Sequence, residues 1–334
     1  MLDAPAPRPA PAAARARTLR TAGIRGMGHY LPDEVVPNAT IAERLGVDDK
    51  WIVRRTGVHS RRRAAEGETL VDLAVQAGRR ALADAGVGAA EVDMVLVATM
   101  SQDDLCPNAA PVVAHALNMD QGVGAVDVGA ACTGFVAALS TAAAHVESHR
   151  AETVLVIGAE VLTRITDPDD KNTAAIFGDG AAACVVGPSR EGSGIGPIKL
   201  YNDGSLAQCI VVPRERPYFV MDGVSTFRAA VNALSQSTEA SVHEAGLTLD
   251  DIDLFVYHQA NARILAAVAE RLELGPDKVA DYVAETANTS AASIPLALSL
   301  LRADGRLRRG HKVLLGGVGA GFTWGAGVME WEVD

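Results

Sequence analysis

The chain has 334 residues, 49% hydrophobic and 21% charged, with a formal net charge of −11. That length allows about two α/β-sized units with a large core, and that balance excludes a disordered chain. The negative excess argues against nucleic acid or an anionic membrane as a bulk partner, while leaving room for a local basic patch.

Residues 1–20 are mostly Pro, Ala and Arg without the apolar stretch of a secretory signal, and read as a disordered extension outside the fold. In 81–99 (ALADAGVGAAEVDMVLVAT) a helix closes at Gly86, and Asp93 precedes an apolar run of strand length. A short strand at 125–128 leads through GAAC into the helical run TGFVAALSTAAAHV, and another strand, TVLVIGAE, starts at Thr153. The turn-rich segment 188–197 (PSREGSGIGP) reads as a joint. Beyond it the pattern returns. The stretch 241–259 (SVHEAGLTLDDIDLFVYHQ) repeats the first with Gly246 and Asp253, 287–299 (ANTSAASIPLALS) lies opposite 127–139 (DVGAACTGFVAAL), and KVLLGGVG starts at Lys312, 159 positions after Thr153. Two copies of one α/β unit are therefore predicted, 21–190 and 191–334. Their strands are continuous apolar runs covered on both faces, which makes a layered sandwich. No apolar run of about 18 residues occurs, so no membrane span is predicted.

Four cysteines without CxxC pairing read as reduced cytoplasmic thiols. Cys132 sits at a strand-to-helix turn, where unpaired N–H groups and the helix dipole favour a thiolate; the plain alternative is a small buried hydrophobe. Cys184 and Cys209 lie in or beside apolar runs and read as buried. His258 ends a strand run, where α/β folds place their sites. Asn288 occupies the turn matching the Cys132 elbow, and an ordinary helix cap is its alternative role. Together they offer a nucleophile and two donors for a developing oxyanion. The glycines of 316–327 (GGVGAGFTWGAG) allow close backbone approach to a ligand without forming a dinucleotide fingerprint.

The motifs YLPDEVVPN, WIVRRTGV, DVGAACTGF, DPDDKNTAAIFGDGAA, HQANARI, NTSAASIPLAL and GFTWG, in this order over 23–333, resemble the ketoacyl-acyl-carrier-protein synthase III group of the thiolase superfamily. The resemblance implies a duplicated thiolase-like α/β unit in a five-layered αβαβα sandwich, and a cytoplasmic homodimer. It implies a Cys132–His258–Asn288 triad, coenzyme A contacts at Trp51 and Arg55, and Arg263 near the docking surface for acyl carrier protein. Lys171 stands where the family often has Arg, keeping charge without the bidentate fork. Val318 stands where an aromatic is common. Cys106, before Pro107, stands where many members carry a bulky aromatic on a loop that closes the other subunit's acyl pocket.

The implied reaction is decarboxylating condensation. Cys132 takes the acyl group of an acyl-CoA, malonyl-acyl carrier protein loses carbon dioxide to an enolate held by His258 and Asn288, and a β-ketoacyl product leaves. Backbone N–H groups of Cys132 and the loop at Gly319 would hold the carbonyl oxyanion. No metal or redox cofactor is implied; coenzyme A enters only as part of the substrate. An acyltransferase to an alcohol or amine is the alternative on this fold. A non-decarboxylating thiolase would need a second cysteine in 316–327, which has none, and a non-catalytic partner subunit would lack Cys132. Arg302, Arg306 and Arg308 could extend the basic docking patch or be ordinary solvated charges.

Overall fold

A computed structural model of the chain describes residues 20–189 and 194–334. Residues 1–19 of the expected extension and 190–193 of the expected joint lie outside the described residues. The first half builds a sheet from β1 (Ala22–Tyr30), β2 (Met94–Ala98), β3 (Gly124–Val128), β4 (Val154–Val161) and β5 (Asp179–Pro188), in the order β1-β5-β4-β2-β3. The second half uses β6 (Lys199–Asn202), β7 (Leu254–Tyr257), β8 (Lys312–Gly319) and β9 (Thr323–Glu330), in the order β7-β8-β9-β6.

The two sheets have the same sense of pairing. Antiparallel pairs β1/β5 and β5/β4 match β6/β9 and β9/β8, and parallel β4/β2 matches β8/β7. Where the first sheet adds β3, the second has a single parallel bridge, Phe255 to Val279. The repeated aspartates have a shared task. Asp93 donates its N–H to Thr153 O at 2.9 Å and accepts from Thr153 N at 3.1 Å through its carboxylate; Asp253 does the same with Lys312 at 2.9 and 2.8 Å. Each acid clamps the start of the neighbouring parallel strand and so sets its register.

Helix α1 (Asp49–Thr56) flanks the future site. Helix α2 (Leu70–Ala85) opens on a Thr69/Asp72 capping box, closes at Gly86 (φ 66°), and covers the outer face of the first sheet with Leu73, Ala77 and Ala81. Helix α3 (Gly134–Glu147) lies in the middle; α4 (Gly223–Glu244) and α5 (Ala262–Arg271) cover the outer face of the second sheet; α6 (Ser293–Ala303) is again central. Phe135, Val136 and Leu139 of α3 and Ile294, Leu298 and Leu301 of α6 share one core with strands of both sheets. A central helix buried on nearly all sides must be apolar all round, and close layering favours Ala over aromatics. The result is the five-layered αβαβα sandwich that the sequence led us to expect.

Candidate active site

The repeat places two equivalent elbows at the interface between the halves. After β3 the chain makes one tight turn, Ala131–Thr133, and enters α3; after Asn288 it makes the same turn, Ser290–Ala292, and enters α6. The first residue of each turn has left-handed backbone, Ala131 at φ 44° and Ser290 at φ 45°. The second elbow is pinned to the first half of the chain: Gly178 N donates to Asn288 O at 3.1 Å and Asn288 N to Ile176 O at 3.0 Å.

Cys132, His258 and Asn288 line one cavity of about 590 Å³. His258 follows β7, held by its own N–H to Gly316 O at 2.8 Å. Its Nδ1 lies 2.7 Å from Ser293 Oγ, which itself accepts from Gln259 N at 3.3 Å. With the Ser293 hydroxyl donating to Nδ1, the ring proton sits on Nε2; with Nδ1 donating to Ser293 Oγ, it sits on Nδ1. Burial pushes the His258 pKa down to about 3, so the ring is neutral in ordinary buffer. The Asn288 Oδ1 accepts from Ser290 N at 2.8 Å, which leaves its amide N–H groups free for a ligand. Two neutral polar groups, each fixed from behind by a serine, therefore serve one cavity.

Cys132 departs from expectation. Its elbow begins with a short, tight turn rather than with α3 itself, and burial pushes the thiol up to about 12. Desolvation outweighs the helix terminus here, so the resting group is a thiol. Gly319 lies against it: a Cβ there would stand 2.9 Å from Cys132 N and 3.1 Å from Cys132 Cβ. Only glycine lets this strand end approach so closely.

Part of the cavity lining is cationic. Trp51, Arg55, Lys171 and Arg263 all line it, with Arg55 stacked 4.5 Å above the Trp51 ring. Asn261 caps α5 by accepting from Arg263 N at 2.9 Å and donates its amide to Arg55 O at 3.0 Å, so one side chain sets two cation-bearing helix ends side by side. The lining also has an apolar part, with Met100, Ile176 and Ile210 around the stacked pair Phe177–Phe219, whose centroids are 4.2 Å apart.

Cys106 is exposed and lies outside the lining of this cavity. Cys184 and Cys209 are buried, as their apolar surroundings suggested. Arg302, Arg306 and Arg308 do not extend the basic mouth. Arg302 pairs with Asp84 at 2.6 Å, Arg306 donates to Asp277 O and Arg308 to Gly305 O, and Arg302 and Arg308 line a separate groove with His29.

Sequence reasoning passed over four residues. Arg228 lines the same cavity as Arg263 and is the sole cation of the first two turns of α4. Ser293 and Ser290 are signalled only by small polar residues in NTSAAS. Glu160, a carboxyl inside the buried strand β4, had the clearest signal: an acid within an otherwise apolar run.

The comparisons with known proteins agree with this geometry. Family models of 3-oxoacyl-[acyl-carrier-protein (ACP)] synthase III match residues 126–204, and of its C-terminal region residues 242–331. The chain is 44% identical over 318 residues to the β-ketoacyl-[acyl-carrier-protein] synthase III of Laribacter hongkongensis, covering 93% of this chain and 99% of that one. It superposes on the 3-oxoacyl-(acyl carrier protein) synthase III of Pseudomonas aeruginosa with a TM-score of 0.90 at 40% identity, covering 94% and 99% of the two chains. The priming β-ketosynthase of the R1128 polyketide pathway gives 0.92 at 36% identity, covering 96% and 99%. A relative this similar over nearly its whole length, joined to an elbow cysteine that shares its cavity with two oriented polar groups, places the chain in the 3-oxoacyl-[acyl-carrier-protein] synthase III family.

Proposed function

We propose that this chain is a β-ketoacyl-acyl carrier protein synthase of type III, condensing an acyl-CoA primer with malonyl-acyl carrier protein. The observation that carries the reading is the orientation of His258 and Asn288, whose outer atoms are tied to Ser293 and Ser290, so that the Asn288 amide and, with the proton on Nε2, the His258 ring present N–H donors to the cavity holding Cys132. Such a pair suits an enolate oxygen formed as malonyl loses carbon dioxide. Simple acyl transfer to an alcohol or amine has no use for it, and the alternative loses ground accordingly.

In the first half-reaction Cys132 Sγ attacks the primer thioester, the C–S bond to coenzyme A breaks, and the acyl group stays on Sγ. In the second, decarboxylation leaves the electron pair on the malonyl α-carbon. That carbon attacks the acyl carbonyl, and the Cys132 thiolate departs. Cys132 N–H and the Gly319 strand end would hold the carbonyl oxygen; removing such a donor typically costs about 3–4 kcal/mol of barrier. The work rests on a thiol, an imidazole and an amide, so no metal or redox cofactor is proposed and coenzyme A enters as substrate.

Trp51, Arg55 and Lys171 would hold the adenine and phosphates of coenzyme A in the cationic part of the lining. Arg263, with Arg228, would meet an acidic carrier protein at the mouth. We also propose a cytoplasmic homodimer. Strand β3 is the outer edge of its sheet with Val126 47% exposed, and Leu105, beside Cys106, is 79% exposed, as an interface would require. In that dimer Cys106 would reach the other subunit's acyl pocket. The decisive experiment is intact-protein mass spectrometry after incubation with a panel of acyl-CoAs. The wild type gains one acyl mass and Cys132→Ala gains none; an equal gain in both overturns the assignment.

A further inference from the structure

Two buried polar residues have no task in the reaction itself: Asn38, which ends YLPDEVVPN, and Arg61, shortly after WIVRRTGV. Arg61 lies on a short strand, Ser60–Arg63, and is 3% exposed. Among the described residues it pairs with no carboxylate. Its Nη2 donates to Asn38 Oδ1 at 2.9 Å and to Ala175 O at 3.1 Å, its Nη1 donates to Val36 O at 3.3 Å, and its Nε has no partner. Burial and the nearby Arg63 push its pKa down to about 10, which leaves it a cation at neutral pH. Burying a cation without a counter-ion is unfavourable, and the planar fork of a guanidinium lets one side chain reach acceptors on three segments. Asn38 extends the network. It opens the short helix Asn38–Leu45, is 1% exposed, and donates from Nδ2 to Asp49 Oδ1 at 2.8 Å and to Val58 O at 2.7 Å.

These bonds join two parts of the cavity lining. Asp49 is the first residue of α1, which carries Trp51 and Arg55; the other end of α1 is tied by Asn261 through Arg55 O. Ala175 belongs to the turn that carries Lys171 and Asn172, a turn held together by Thr173 N and Ala174 N, which donate to Asp170 O at 3.1 and 2.8 Å. Ala42, Leu45, Ile52 and Ala175 pack as a small core, with Trp51 against it. A further link, Arg44 to Asp169 at 2.5 and 3.1 Å, joins side chains that are both more than half exposed, and such a pair contributes little. The separation of α1 from the Lys171 turn is therefore set from the buried side, by Asp49, Asn38, Arg61 and Ala175 in series.

Building on the ketosynthase reading above, we propose that Asn38 and Arg61 are positioning residues for the nucleotide part of coenzyme A, holding the Trp51–Arg55 helix and the Lys171 turn at the separation that this part of the substrate needs. Neither residue lines the cavity. The second elbow has its own backbone bonds to Ile176 and Gly178, so Asn288 is held independently of the Arg61 side chain. Loss of the network should thus be felt by the adenine and phosphates, and not by the acyl group or the pantetheine arm.

The test compares two thioesters of one acyl group, the group that loads best in the panel above: the acyl-CoA, and the acyl-pantetheine, which ends before the nucleotide. Loading of Cys132 at limiting substrate, read by mass, gives kcat/KM for each in wild type, Asn38→Ala, Arg61→Gln, Arg61→Lys and Asp49→Ala, with thermal melting as a check on folding. Wild type should favour the acyl-CoA. Asn38→Ala and Arg61→Gln should lose about 10- to 100-fold with the acyl-CoA and less than about 2-fold with the acyl-pantetheine. Arg61→Lys keeps the charge without the fork and should recover only part of the loss. Asp49 is exposed, so Asp49→Ala removes one acceptor without opening the core, and should show the same selective loss on a smaller scale. A general structural defect would lower both thioesters alike. An equal loss with both, or no loss with the acyl-CoA, in the folded variants therefore overturns the proposal, and Asp49→Ala decides alone should the buried variants not fold. A wild type that loads both thioesters equally well overturns it too, because no nucleotide contact would be there to position. Failure of the wild type to load from any thioester would instead sink the ketosynthase reading.

Discussion

At the scale of single residues, function here is set by atoms that face away from the cavity. His258 and Asn288 are useful because Ser293 and the Ser290 N–H fix which of their atoms remain free. Removing the Ser293 hydroxyl takes away the partner that holds Nδ1. Ser293→Ala should therefore load acyl groups at near wild-type rate and decarboxylate malonyl-acyl carrier protein about 10- to 100-fold more slowly, below the loss from deleting a donor outright. His258→Ala and Asn288→Ala should likewise load but release no carbon dioxide. Parallel assays of acyl mass and carbon dioxide separate the two half-reactions, and a variant that loses loading while keeping decarboxylation contradicts this division of labour. Gly319 is the steric counterpart. The added methyl of Gly319→Ala would meet Cys132 N at 2.9 Å, so either the strand end or the elbow must shift, and loading should fall at least 100-fold with the protein still folded by circular dichroism.

At the scale of elements, the cavity is assembled from helix starts, helix ends and loops. Asn261 joins the start of α5 to the end of α1, which places Arg263 close to Arg55 on a chain whose net charge is −11. A carrier protein of like charge would be repelled at long range, and a local basic mouth offsets this. Arg263→Glu and Arg228→Glu should each raise KM for the carrier protein several-fold at low salt, with the difference shrinking as salt is added. Coenzyme A-dependent loading should be much less affected by the change at position 228. An unchanged KM at low salt removes the residue from the docking surface. The 102–108 loop is the other element with a testable task. If Cys106 of one subunit floors the other's pocket, its small side chain leaves room for primers beyond acetyl, each further buried methylene contributing about 0.8 kcal/mol. Cys106→Phe should then cut loading of longer or branched acyl-CoAs far more than of acetyl-CoA. The same chain-length ranking in both proteins would show that the loop does not set pocket depth.

At the scale of the whole molecule, the site imposes an opposed pair of pH dependences on stability. His258 has a folded pKa pushed down to about 3, so as pH falls below about 6.5 the unfolded chain gains a proton that the folded one refuses, and stability declines. Glu160 has a folded pKa raised to about 7, so between about 4.5 and 7 the unfolded chain releases a proton that the folded one keeps, and stability declines as pH rises through that window. Urea unfolding of Glu160→Gln should show the variant gaining on wild type between pH 4.5 and 7; a constant difference between the two proteins would place the Glu160 titration elsewhere. The central layer provides a second check. Leu139 is fully buried on α3 in the core shared by both sheets, and Leu139→Ala should cost about 2–5 kcal/mol in the same assay.

The sequence by itself determined the duplication, because its spacing is written in residues whose local roles are strict: glycines in left-handed helix ends at 86 and 246, and aspartates at 93 and 253 that clamp a neighbouring strand. It also determined which cysteine, histidine and asparagine belong together, since ordered motifs survive as strings of letters. It could not give the state of those groups. The Cys132 turn looked like a place for a thiolate, and the folded protein holds a thiol there because burial, a property of packing from both halves, outweighs a helix terminus. The Ser293 partner of His258 Nδ1, the direction of the Asn288 amide, the lining of one cavity by Arg228, Arg263 and Arg55, and the position of Glu160 against an elbow more than a hundred residues away were likewise decided only by tertiary structure. Each depends on a contact between segments distant in sequence, and no local pattern of residues encodes such a contact.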